Sequence, residues 1–317
     1  MSKTTLLYIS AYQYSGSTLT SFLLNTHPEI TSLGHTAGWP FDKDEAFYCS
    51  CGAVIQDCSF YQHLAKTFKE HNLPFEFHDF GAAFKVTKNS RLNRYLTASM
   101  PLLESSALEH LRDAVIGHLP VTGARLARQR KANDRLIATA VEYHNSSIYL
   151  DNSLDPYRLR HLKRIDSLAV KNIHLVRNPR GVAASCLRHR GWSPEQTLSL
   201  WLRHQRDIVR IASDVDDSIT VHYDDLCTNT DEELARLHAY AGVEPRTFAG
   251  DFKDAEHHIL GNQMRLGDGK IKLDTRWQKE LTSSQLSGLN KQLQFFLDTP
   301  KYAQYKPLLG RYLDDKS

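Results

Sequence analysis

No stretch of the 317-residue chain approaches the roughly 18–20 consecutive apolar residues that a membrane-crossing helix needs. The run Leu6-Leu7-Tyr8-Ile9, preceded by Lys3, stops at Ser10 and is too short for the apolar centre of an export signal. Cysteine is scarce. Its five positions, Cys49, Cys51, Cys58, Cys186 and Cys227, are an odd number in a chain long enough to fold without disulfides, which points to a reducing, cytoplasmic compartment. A large charge of one sign is also missing: 39 Lys and Arg stand against 36 Asp and Glu, a net +3, excluding a basic nucleic-acid coat or an acidic tail. Repeats and low-complexity tracts are absent. With 41% hydrophobic and 24% charged residues, the chain is expected to form a single domain over residues 1–317.

The small net charge conceals two local imbalances. Between Arg125 and Arg210, 17 Lys and Arg meet 7 Asp and Glu, so this stretch carries +10 and the remainder −7. That stretch reads as the part built to meet anions. Conversely, no Lys or Arg occurs between Lys3 and Lys43.

Apolar runs and breaker residues predict strands at Thr4–Ile9, Ser147–Asp151, Asn172–Arg177 and Ile219–Tyr223. Helices are expected at Leu19–Asn25, from Pro179 to about Arg190, and over Pro194–Ala212, Glu232–Ala241 and Ser283–Leu297. Residues 63–144 read as mostly helical, broken near Pro74, Pro101 and Val121-Thr122-Gly123, and 250–280 as a long loop. The alternation implies an α/β fold with a mostly parallel sheet and a helical insertion at 63–144. Ligands in such sheets sit beyond the carboxyl ends of the strands.

Two strand–loop–helix segments carry the chemistry. In the first, Gly16 lets the backbone approach an anion and Ser17-Thr18 open a helix whose amides point at it. An ordinary turn with a Ser cap fits the same residues. The Gly-Lys-Ser/Thr of nucleotide triphosphatases is not met by Gly16-Ser17-Thr18, which disfavours ATP or GTP hydrolysis. In the second, Arg177 ends a strand and aims a guanidinium fork at the crevice, with Ser185 two turns beyond. Arg180, Arg188 and Arg190 read as a solvated basic face.

In order along the chain, these segments resemble the sulfotransferase superfamily, specifically its bacterial branch related to carbohydrate sulfotransferases. Tyr14-Ser15-Gly16-Ser17-Thr18, continuing as Leu24-Asn25-Thr26-His27-Pro28, is similar to its 5′-phosphosulfate loop. Val176-Arg177-Asn178-Pro179-Arg180-Gly181-Val182-Ala183-Ala184-Ser185 is similar to its 3′-phosphate segment. Cys49-Ser50-Cys51-Gly52 with Cys58, Tyr149–Ser153, Val221–Leu226, and Gly261–Arg265 with Trp277 extend the resemblance over residues 4–280.

The resemblance implies a three-layer P-loop-like fold and transfer of a sulfuryl group from 3′-phosphoadenosine 5′-phosphosulfate (PAPS) to a hydroxyl of a carbohydrate, lipid or small metabolite. Tyr14, Ser15, Gly16, Ser17 and Thr18 would hold the 5′-phosphosulfate, Arg177 and Ser185 the 3′-phosphate, and Asn262 and Arg265 the 3′-phosphate or adenine. No metal is required for such a transfer, and no nucleic-acid partner is implied. The sequence departs from the family at three places. Tyr14 replaces a basic residue before Ser-Gly-Ser, His35 replaces the Glu of Leu-Gly-Glu, and Leu154 stands where a Lys often follows the strand end. A neutral His35 preserves a general base. A catalytically impaired nucleotide-binding protein of the same fold is the alternative. Cys49, Cys51, Cys58 and His63 number four metal-ligating side chains, but only one Cys-rich arm exists, so reduced thiols in a local packing motif are expected and no metal site. Asp151, Asn152 and Ser153 either orient the acceptor or cap the next turn.

Overall fold

Thr4–Ala11 forms strand β1, and its alternation organises the core. Leu6 and Tyr8 join one apolar cluster while Leu7 and Ile9 join another, so the strand is buried on both faces. The computed structural model describes residues 3–37, 46–98, 105–215, 217–248, 250–252, 258–260 and 270–313. Helix α1 (Ser17–Leu24) follows β1, then β2 (Ile30–Gly34). Four helices come next: α2 (Ser59–Glu70), α3 (Ser90–Thr97), α4 (Ser106–His118) and α5 (Pro120–Tyr143). The chain continues through β3 (Ile148–Leu154), α6 (Pro156–Leu162), β4 (Leu168–Val176), α7 (Pro179–Arg190), α8 (Pro194–Ala212) and β5 (Ser218–His222). It ends with α9 (Tyr223–Thr228), α10 (Thr230–Ala241), α11 (Trp277–Glu280), α12 (Ser283–Asp298) and α13 (Lys306–Leu309).

The strands lie in the order β2-β3-β1-β4-β5 and every pairing is parallel. The predicted α/β class therefore holds, with five strands among the described residues rather than four. Ile30–Gly34 escaped prediction because Thr31, Ser32 and Gly34 leave it no apolar run. Its pairing with β3, not local propensity, makes it a strand. Phe22 fills one face, and Phe60 and Phe68 the other, all fully buried. Each contributes about 1.5–3 kcal/mol of transfer free energy. A third cluster joins Val182 of α7, Trp201 of α8 and Leu293 of α12.

Local rules fix the helix ends near the carboxyl edge of the sheet. Asn178 accepts from the Arg180 amide at 3.0 Å and Pro179 opens α7 without sacrificing a bonded N–H. Ser193 caps α8 through the Gln196 amide, ahead of Pro194. Two expectations of this kind fail. Val121-Thr122-Gly123 lies inside α5, the break falling one step earlier at Leu119-Pro120, where proline suits a first turn. The residue capping α1 is Gly16, with no side-chain cap bond, rather than Ser17-Thr18.

The positive stretch is partly answered in space by acids from elsewhere. Glu109 and Asp113 on α4 are buried, and Glu109 binds Arg160 at 3.0 Å and also Arg210. Asp214 takes Arg160 at 3.2 Å. Part of the excess thus ties α4 to α6 and α8 instead of facing an outside anion. Arg180 is also no part of a solvated face. It is buried, donates to Asn290 Oδ1 at 2.9 Å and to the Tyr312 carbonyl at 2.9 Å, and lies over the Trp277 ring. Helix α12 and the segment after α13, over a hundred residues downstream, bury it. Arg188 and Arg190 are exposed, Arg188 against Glu280.

Candidate active site

The connection from β1 runs toward β2, whereas that from β4 runs toward β5, so a crevice opens between their carboxyl ends. Gly16 and Arg177 flank it. Gly16 has φ +89, and a Cβ there would lie 2.2 Å from Cδ2 of Tyr223, so conformation and packing both demand glycine. Tyr14 also adopts left-handed geometry, φ +61, at a cost of about 1–3 kcal/mol for a non-glycine residue. Its ring stacks on His189 at 5.4 Å, and its carbonyl accepts from Arg177 Nη1 at 2.7 Å. The loop that contains no cation in sequence receives one in space.

Ser15 is 1% exposed and its Oγ has no hydrogen-bond partner among the described residues. A buried hydroxyl left unsatisfied costs about 1–3 kcal/mol, which an anion acceptor in the loop would recover. Ser17 and Thr18 occupy the first turn of α1, where backbone amides lack intrahelical acceptors. This orphaned hydroxyl and the glycine-dependent cradle fit a phosphate or sulfate group.

Arg177 is nearly buried at the end of β4. Its guanidinium lies 4.7 Å from the centre of the Tyr223 ring, and Gly181 leaves room for it, since a Cβ there would approach Nε to 3.1 Å. Nη2 pairs with Asp274 Oδ2 at 3.1 Å. Asp274 is in turn clamped by Arg276, whose hydrogen bonds, with help from Arg177, hold the Asp274 carboxyl well below the usual carboxylate range. A carboxylate therefore sits on the guanidinium predicted to take a phosphate. Nothing in the local sequence around Arg177 signals it, for the partner is 97 residues away. Ser185 is buried one turn beyond Gly181 and donates to its carbonyl at 2.9 Å. Asp224 is half-enclosed nearby; burial raises its carboxyl above the ordinary value and Arg177 opposes that rise.

His35 follows β2, beside β3. Burial lowers its imidazole below 6.5, partly countered by Asp151, so the ring is neutral at physiological pH. The ring hydrogen-bonds the Asn152 backbone. The Asn152 side chain donates to the Ser17 carbonyl at 3.3 Å and to Ser21 Oγ at 2.7 Å. One residue thus bridges the candidate base to the anion loop. Its Oδ1 and the Ser153 hydroxyl are buried without hydrogen-bond partners among the described residues. Asp151 is committed elsewhere, to Arg158 at 2.9 and 3.0 Å. The strand-end triplet therefore divides: Asp151 supports the fold, and Asn152 joins the site. Asn262 and Arg265 lie outside the described residues.

The three cysteines of residues 49–58 do converge, but with His258 rather than His63. Sequence reasoning had no means to find a histidine 200 residues away.

No helix among the described residues is long and apolar enough to cross a membrane. No protein-family model matches the chain, and no curated protein matches it. Among solved structures it is similar to the sulfotransferase domain from the Synechococcus PCC 7002 olefin synthase, with 19% identity over 92% of this chain and 94% of that chain and a TM-score of 0.46. It is also similar to the sulfotransferase domain from the curacin biosynthetic pathway (16%, 98% and 97%, TM-score 0.46). A Mycobacterium tuberculosis H37Rv sulfotransferase gives 13%, 80% and 70%, with a TM-score of 0.41. At identities and scores this low, function rests on the side chains themselves.

Proposed function

We propose that the protein is a sulfotransferase that moves a sulfuryl group from PAPS to a hydroxyl of a carbohydrate, lipid or small metabolite. The observation that carries this reading is the joined pair of anion-facing loops across one crevice. An unsatisfied Ser15 hydroxyl and a glycine-dependent helix start lie on one side, and Arg177 reaches over to the Tyr14 carbonyl from the other. Two loops suit a donor with two phosphate-bearing ends.

In this reading Tyr14 to Thr18 cradle the 5′-phosphosulfate with backbone amides and hydroxyls. Arg177 and Ser185 bind the 3′-phosphate, and Asn262 and Arg265 complete that side by resemblance. Arg177 exchanges the Asp274 carboxylate for the phosphate, and Ser185 rotates its hydroxyl away from the Gly181 carbonyl. His35, neutral and held by the Asn152 backbone, takes the acceptor's proton. The transition state is loose and in line, so catalysis is positioning and charge stabilisation, without a covalent enzyme intermediate. The α3–α4 part of the insertion, which exposes Tyr95, Leu111 and Val115, provides the acceptor side.

A second reading has its own support: Tyr14 supplies a neutral ring, stacked on His189, where the family places a cation. A protein that binds the nucleotide without turnover would look the same. Transfer of labelled sulfuryl from PAPS to a panel of glycans and alcohols separates the two. The transferase reading predicts product with at least one hydroxyl acceptor and a loss of about 10²-fold or more in kcat for His35→Ala. Binding with no product across the panel favours the second reading, and an unimpaired His35→Ala removes the base assignment.

A further inference from the structure

Residues 47–58 fold into a small knuckle. Tyr48 and Val54 form an antiparallel bridge, the Cys49 amide donates to the Ala53 carbonyl at 2.9 Å, and Gly52, at φ +90, makes the tip. The knuckle presents Cys49 and Cys51, and Cys58 closes it at the start of α2. Opposite them stands His258. Its carbonyl accepts from the Tyr61 hydroxyl at 2.8 Å, its ring stacks on Phe60 at 5.4 Å, and the following amide donates to Ser50 Oγ at 2.8 Å. These contacts hold the imidazole and the backbone that follows it.

The ligating atoms of these four residues all lie within 4.8 Å of one another. His258 Nδ1 is 3.2 Å from Cys58 Sγ and 3.7 Å from Cys49 Sγ, and Cys51 Sγ is 3.7 Å from Cys58 Sγ. A tetrahedral zinc with Zn–S near 2.3 Å and Zn–N near 2.0 Å has ligand–ligand edges of about 3.5–3.8 Å. These three separations differ from those edges by a few tenths of an ångström, and the other three lie within 4.8 Å. Thiols are poor hydrogen-bonding groups, so three of them around one imidazole gain little from one another. Phe60, Tyr61, Tyr143 and His144 wall the cluster, while exposed Cys51 gives a metal its way in.

We propose that Cys49, Cys51, Cys58 and His258 bind one zinc ion in a closed, structural Cys₃His site. Soft thiolates with one imidazole select zinc over magnesium or calcium, and four protein ligands leave no position for substrate. Binding releases the thiol protons to solvent and involves no redox change. The ion joins the knuckle to residues 258–260, and this segment continues the sheet beside β2: the Leu260 amide donates to the Leu33 carbonyl at 2.8 Å, and the His35 amide to the Leu260 carbonyl at 3.1 Å. The zinc therefore buttresses the backbone of His35 without touching the reaction. This inference stands whether or not the protein transfers sulfuryl groups.

The test is metal analysis of the full-length protein, followed by chelation and titration with cobalt(II). The expected results are about one zinc per chain and, with cobalt, the intense visible bands of a tetrahedral site with sulfur-to-cobalt charge transfer. Cys51→Ser, at an exposed position, and His258→Ala each abolish stoichiometric uptake, whereas His63→Ala retains it. Thiol counting on the unaltered protein covers the case in which a variant fails to fold: chelator makes Cys49, Cys51 and Cys58 newly reactive, and added zinc protects them again. Absence of uptake, uptake unchanged in both Cys51→Ser and His258→Ala, or a Cys51–Cys58 disulfide without metal would each overturn the proposal.

Discussion

Arg158 and Arg177 are both nearly buried guanidiniums beside a carboxylate at the carboxyl edge of the sheet, yet their surroundings differ in kind. Arg158 meets Asp151 only seven residues away, with the acid wholly buried. Its remaining donors reach the Ala82 carbonyl at 2.8 Å and Asn133 Oδ1 at 2.6 Å. Arg177 meets an acid from the far C-terminal part of the chain, 18% exposed and already held through both oxygens by Arg276. Removing Asp151 from Arg158 would strand a charge in the interior. Moving Asp274 off Arg177 leaves the acid paired with Arg276, and the nearly buried guanidinium open to a replacing anion. One arginine is a fixture of the fold; the other, in the proposed function, exchanges its carboxylate for a phosphate.

The largest expected effect follows from the first half of that contrast. Arg158→Ala leaves Asp151 buried and unpaired and should cost about 3–5 kcal/mol in denaturant unfolding. Arg177→Ala, whose acid has a second partner, should cost about 1 kcal/mol or little more. Similar losses for the two variants would erase the distinction. A smaller effect follows from the second half. Asp274→Asn removes the carboxylate that competes for Arg177 and should tighten binding of 3′-phosphoadenosine 5′-phosphate by up to about tenfold, or about 1.4 kcal/mol. Since the Asp274 carboxyl is held well below its ordinary range, it stays ionised through mildly acid pH, and the ratio between variant and wild type should stay constant from about pH 5 to pH 8. A ratio that collapses toward pH 5 would mean that the carboxylate is not paired as described.

The same contrast separates what could be read in the sequence from what could not. Strands β1, β3, β4 and β5 and helices α7, α8, α10 and α12 announce themselves, because apolar periodicity, Pro at the first turn and Gly after the last are local signals. Gly16 and Arg177 were legible for the same reason: each sits at a strand end followed by a helix start. What escaped depends on distant partners. Strand β2 exists through β3; Arg180 is buried by α12; Asp274 and His258 come from a segment whose composition announced only a loop. The charge excess between Arg125 and Arg210 misled for this reason too, since Glu109, Asp113, Asp214, Asp217, Asp274 and Glu280 answer part of it from outside the counted stretch.

The proposed function requires Arg177 to bind a phosphate in place of Asp274. Calorimetric titration of wild type and Arg177→Ala with 3′-phosphoadenosine 5′-phosphate, at one fixed ionic strength, tests it most directly. Loss of a buried charged partner predicts affinity at least about thirtyfold weaker in the variant, a difference of about 2 kcal/mol, with the unfolding midpoint nearly preserved. Equal affinities, or no binding by the wild type, would contradict it.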